Sequence, residues 1–98
     1  MFGAQVFFYG TLLDDKTRQK ALGRKVEGRR TSLPGWAKKT DKTYPYLVRK
    51  EASTVHGVVF ELTKEDLDKL DDWEKKYYRI EVTLRDGSKA QVYEEAGH

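Results

Sequence analysis

The chain is 98 residues long, 36% charged and 38% apolar, with 19 basic against 16 acidic side chains. That length suits one domain, residues 1–98, and the 12% aromatic content, clustered with β-branched residues in short runs, argues against disorder. A net charge of +3 names no partner by itself, whereas the absence of cysteine excludes disulfides, thiolate metal sites and a cysteine nucleophile together.

Ala4 to Tyr9 is a nearly continuous apolar run ended by Gly10, which predicts a strand buried on both faces and central in its sheet. Asp14 or Asp15 can cap a short helix over Lys16–Leu22 that Gly23 terminates. Arg24 to Leu33 alternates loosely and is heavily basic, as in a solvent-facing strand, and Pro34-Gly35 reads as a turn. Ala37 to Thr43 reads as a loop, and Tyr44 to Val48 as an edge or irregular strand because of Pro45.

Thr54 to Leu62 is the second buried-strand signal, and it runs directly into a helix. Thr63 is a good N-cap, Glu65 and Asp66 suit the first turn, and Leu67 and Leu70 supply the apolar face. Tyr77–Leu84 and Lys89–Tyr93 are β-rich runs joined through Asp86-Gly87, a hairpin signal. Five or six strands with two helices predict an α+β fold, a small mixed β-barrel or curled sheet with two flanking helices.

Two places could carry chemistry. From Leu67 the inward face recurs at Leu70, Asp71 and Glu74, so a helix that persists through Trp73 turns Glu74 toward the core at its C-terminus. Burial and the macrodipole would both raise the carboxyl pKa toward the range useful to a general base. The plainer alternative is a frayed helix end with Glu74 paired to Lys75 or Lys76 in solvent. The Tyr9-Gly10-Thr11-Leu12 loop is the second place. Gly10 permits unusual backbone angles and close approach of a ligand, and successive free N–H groups can hold a carboxylate or an oxyanion. An ordinary strand-to-helix turn is the plainer reading there.

Taken together, Val6 to Leu12, Tyr44-Pro45, Val55 to Leu62, Leu67 to Glu74, Tyr77-Tyr78-Arg79 and Val92-Tyr93 resemble, in order and over most of the chain, the γ-glutamylcyclotransferase-like proteins. The resemblance implies a small β-barrel with helices around it and assigns the acid–base carboxylate to Glu74. It implies that the backbone of Tyr9, Gly10, Thr11 and Leu12 binds substrate, with Tyr93 lining the same cavity. The implied substrate is a γ-glutamyl amide with a free α-amine, which attacks its own γ-carbonyl to give 5-oxoproline and a released amine. The tethered nucleophile removes the need for a covalent intermediate. No metal or other cofactor is required, and with His56 and the terminal His98 as the only histidines a His-based metal site is not expected. Lys75 and Lys76 make a short link to Tyr77, and the chain ends soon after its expected last strand. Substrate identity is therefore open, and a homodimer that completes the pocket is a reasonable expectation.

Other readings compete. Arg24, Lys25, Arg29, Arg30, Lys38, Lys39 and Lys42, beside Trp36, Tyr44 and Tyr46, could form a single-strand nucleic-acid surface. Solvated strand faces explain most such runs, and the acidic 61–74 segment offsets the charge, so nucleic acid ranks behind a small molecule as partner. A catalytically silent ligand-binding domain of the same fold is the other rival. His56 reads as a packed core or rim histidine, Trp36 and Trp73 as packing residues, and Glu61 as an exposed strand-end glutamate. Arg79 would pair with a nearby acid or touch a substrate carboxylate. The start lacks a basic n-region and the longest apolar run is about half a membrane span, so a cytoplasmic location without a membrane partner is expected. Absent Asn and interspersed charges are features of heat-tolerant proteins.

Overall fold

The structure is a computed structural model that describes residues 3–41, 46–73 and 77–95. Its elements run β1 (Gly3–Phe8), a single 3-10 turn (Thr11–Leu13), α1 (Asp15–Leu22), β2 (Gly28–Lys39), β3 (Tyr46–Thr63), α2 (Lys64–Trp73), β4 (Tyr77–Thr83) and β5 (Lys89–Glu95). The strands form one mixed sheet in the order β2-β3-β1-β5-β4, with β1 parallel to β5 and every other pair antiparallel. The apolar first strand is therefore central, as its composition predicts.

Its two faces feed two cores. Val6 and Phe8 join Leu12, Ala21, Leu22, Phe60, Leu62, Leu67, Leu70 and Tyr93 beneath the helices. Phe7 and Tyr9 join Leu33, Leu47, Val55, Val59, Val82, Leu84, Ala90 and Val92 on the concave side. The period-two alternation of a strand sends neighbouring side chains to opposite faces, which is why one short apolar run supplies both.

Of the two expected forms, a small barrel or a curled sheet, the closed barrel does not form. Among the described residues no ladder joins the edge strands β2 and β4, and the five-stranded sheet stays open. Its edges meet beyond β4, where the Arg85 N–H donates to the Ser32 carbonyl at 3.0 Å, Arg85 Nε donates to Ser32 Oγ at 2.7 Å and Arg29 of β2 pairs with Asp86. Strand limits also differ from expectation. Pro34-Gly35 is not a turn but an irregularity inside β2, where pairing jumps from Pro34–Thr54 to Trp36–Arg49. Proline is tolerated there because β2 is an edge strand. Ala37–Lys39, expected as loop, pairs with Tyr46–Val48, which makes the two middle runs one long β3 between β2 and β1.

Local signals elsewhere hold. Asp14 caps α1 by accepting the Thr17 N–H at 2.9 Å, and Gly23 closes the helix. Thr63 Oγ1 accepts the Asp66 N–H at 3.2 Å while Asp66 Oδ2 accepts the Thr63 N–H at 3.0 Å, a reciprocal cap for α2. In the hairpin, Gly87 at φ 87° donates to the Leu84 carbonyl, and Leu84 N–H donates to Ser88, a three-residue loop that needs a left-handed glycine.

Candidate functional site

Because β1 and β5 are parallel, with Val6 opposite Gln91, their C-terminal ends leave the sheet side by side. The N-terminal ends of β3 and β4 lie at the same end through antiparallel pairing. The last turn of α2 reaches this end too: Tyr93 Oη donates to Asp71 Oδ1 at 2.8 Å, and Arg79 pairs with Asp71 at 3.1 Å. The Tyr9–Leu12 loop and Tyr93 are thus brought together from opposite ends of the chain.

The loop crosses over the end of the sheet. Tyr9 is buried in the concave core, and its hydroxyl donates to the Tyr93 carbonyl at 3.2 Å and to Glu94 Oε1 at 3.5 Å. Leu12 is buried in the helix-side core. Between them Gly10 accepts the Leu13 N–H at 3.0 Å, closing the 3-10 turn. Tyr93 itself faces the helix-side core, whereas its carbonyl meets Tyr9.

Two charged residues that motif and periodicity reading passed over converge on the loop. Arg18 of α1, 9% exposed, donates through Nη1 to the carbonyls of Leu12 and Leu13, each at 3.1 Å. Its guanidinium lies 4.5 Å from the centroid of the Phe60 ring and pairs with Asp15. Glu94, 7% exposed, accepts from the Leu47 N–H at 3.2 Å as well as from Tyr9. The signal for Glu94 was available: it shares strand parity with Ala90 and Val92, both buried on the concave face. Arg18 had none, because α1 is short and polar and its partners are backbone carbonyls.

Glu74 lies outside the described residues, as do Tyr44 and Pro45. α2 does persist through Trp73, with Leu67 and Leu70 buried and Asp71 turned to Tyr93. Trp73 is 48% exposed and Trp36 half-buried under Arg49, so only the latter packs as expected. His56 is exposed, contrary to its expected packed role, and Glu61 is exposed as expected. Arg79 takes the acid-pairing option, with Asp71. Of the basic run, Arg24 binds Asp66, while Arg29 binds Gln5 and Asp86. The Asp41 carboxylate accepts the Tyr46 phenol at 2.8 Å and so raises the phenol pKa. A shallow groove lined by Ala4, Gln5, Lys64, Leu67 and Lys89 lies at the opposite end of the sheet and contains none of the candidate residues. Among the described residues no cluster of three His, Asp or Glu could hold a metal, and no helix is long and apolar enough to cross a membrane.

Fold and site define an α+β protein with an open five-stranded mixed sheet, two helices on one face and a strand-end loop beside a helix C-terminus. The same fold occurs in a solved protein from Arabidopsis thaliana, 29% identical, with a TM-score of 0.78 over 96% of this chain and 69% of that one. A second Arabidopsis thaliana structure is 22% identical, with a TM-score of 0.81 over 97% of this chain and 63% of that one. A solved gamma-glutamyl cyclotransferase is 17% identical, with a TM-score of 0.76 over 98% of this chain and 68% of that one. This chain spans roughly two thirds of each. No curated protein matches it. The family model described as gamma-glutamyl cyclotransferase, AIG2-like, matches residues 6–96, and the chain belongs to that family.

Proposed function

We propose that the protein is a γ-glutamylcyclotransferase that converts a γ-glutamyl amide bearing a free α-amine into 5-oxoproline and the released amine. The observation that carries this reading is the family match over residues 6–96, which includes both the Tyr9–Leu12 loop and the Leu70–Glu74 stretch. In this reading the loop N–H groups hold the substrate carboxylate and the oxyanion of the tetrahedral intermediate. Glu74 takes a proton from the α-ammonium, and the amine attacks the γ-carbonyl carbon to close the five-membered ring. The C–N bond to the leaving group then breaks as Glu74 returns the proton to that nitrogen, and the ring nitrogen's second proton passes to the same amine, which departs as an ammonium. Support for Glu74 comes from the sequence spacing Leu67, Leu70, Asp71, Glu74: Asp71, three residues earlier, touches Tyr93 at the loop's end of the sheet. The reading includes a cytoplasmic location, supported by the cysteine-free composition.

Incubation with γ-glutamyl-amino acids and γ-glutamyl-ε-lysine, followed by detection of 5-oxoproline, tests it. Release is expected from the unmodified chain, with a loss of about 100-fold or more in a folded Glu74→Gln variant. Release that survives in Glu74→Gln removes that residue from the mechanism. No release from any γ-glutamyl compound favours the silent ligand-binding domain.

A further inference from the structure

Four polar or charged residues are buried among the described residues: Arg18, Ser32, Asp66 and Glu94. Ser32 is taken by Arg85, and Asp66 by the α2 cap and Arg24. The other two both hold the same five-residue segment, Tyr9 to Leu13. Burying a cation on a short surface helix is unfavourable unless its donors are met, and an apolar side chain over Phe60 would avoid that penalty. Arg18 instead places one nitrogen between two consecutive carbonyls, Leu12 and Leu13, while its planar face covers Phe60. Glu94 grips the opposite end of the segment through the Tyr9 hydroxyl and ties it to β3 through the Leu47 N–H.

We propose that Arg18 and Glu94 are positioning residues that clamp the Tyr9–Leu13 segment from both ends and so hold its 3-10 turn in place at the end of the sheet. The catalytic part of this rests on the cyclotransferase reading; the clamp itself does not. The peptide units turned with their carbonyls toward Arg18 carry the N–H groups of Leu13 and Asp14, and the Leu13 N–H closes the 3-10 turn on the Gly10 carbonyl, so Arg18 restrains that turn. A loop held in advance at a developing oxyanion is worth most when it need not reorganise. Arg18 acts through the loop and not on substrate, so its loss should lower kcat more than it raises KM.

Amide hydrogen exchange at residues 10–13 and steady-state release of 5-oxoproline, measured together, test the clamp. In Arg18→Met the Leu13 amide is expected to exchange about tenfold faster or more, with core strand amides unchanged. kcat should fall about tenfold or more with little change in KM. Arg18→Lys should be intermediate, since an ammonium supplies charge without the planar fork and stacking face. Glu94→Gln keeps an acceptor and should loosen the loop less than Glu94→Leu. The Glu74→Gln enzyme should lose turnover with loop exchange unaltered, which separates the clamp from the chemistry. If the unmodified protein turns over no γ-glutamyl compound, the exchange measurement alone decides. Unchanged exchange in Arg18→Met and Glu94→Leu overturns the clamp; if either fails to fold, Arg18→Lys and Glu94→Gln are read instead, and unchanged exchange in both has the same meaning.

Discussion

Asp66 shows how one side chain can serve several elements. Its carboxylate accepts from Arg24 Nε at 3.0 Å, Arg24 Nη2 at 2.5 Å and the Thr63 N–H at 3.0 Å. The Arg24 hydrogen bonds lower its pKa most, the Thr63 bonds add to this, and together they outweigh burial, taking it from 3.8 to about 2. A carboxyl whose folded pKa lies below its unfolded value binds its proton more readily in the unfolded chain. Its stabilising contribution is therefore complete above 3.8 and is lost as pH falls through about 2. Denaturant titrations between these limits should show the unmodified protein losing more stability than Asp66→Asn, whose difference from it should shrink as the pH drops. At neutral pH the substitution should cost about 1–3 kcal/mol, because it weakens a buried, charge-assisted acceptor. Equal acid sensitivity of the two proteins would remove Asp66 from the linkage. The Thr63–Asp66 cap was legible in the sequence as good capping residues. The Arg24 partner was not, since 42 residues separate it from Asp66.

At the scale of elements, α2 links sequence to candidate chemistry. Its apolar stripe is narrow, and Leu70, fully buried, is its deepest anchor against β1 and β3. Leu70→Ala should cost about 2–5 kcal/mol by urea unfolding, the range for a deleted core leucine whose cavity collapses only in part. A loss below about 1 kcal/mol would mean that the helix is seated by its cap and by Lys69, which donates to the Leu22 carbonyl at 3.1 Å. The hairpin, the central strand and both helices were readable because their signals lie within a few residues of one another. Pro34-Gly35 misled for the complementary reason. A local turn signal was overridden by pairing of β2 with β3 on both sides of it.

At the scale of the whole molecule, the sheet curls without closing, and the Arg85–Ser32 contact joins its free edges. Replacing Arg85 with Met removes the donor to a buried hydroxyl, although the backbone bond can persist. A loss of about 1–2 kcal/mol is expected, with faster exchange at the edges of β2 and β4 than at β1. Uniform exchange across the sheet would show that this contact does not hold the edges. Fold class, the central place of β1, the capped helix ending near Glu74 and the family resemblance were all readable from residue order alone. Each depends on periodicity, caps and motifs, whose physics is local. The open sheet, the parallel β1–β5 pairing and the convergence of Arg18 and Glu94 on one loop required the folded chain. They join residues distant in sequence, or side chain to carbonyl, where long-range packing and the need to satisfy buried polar groups decide and local composition leaves no trace.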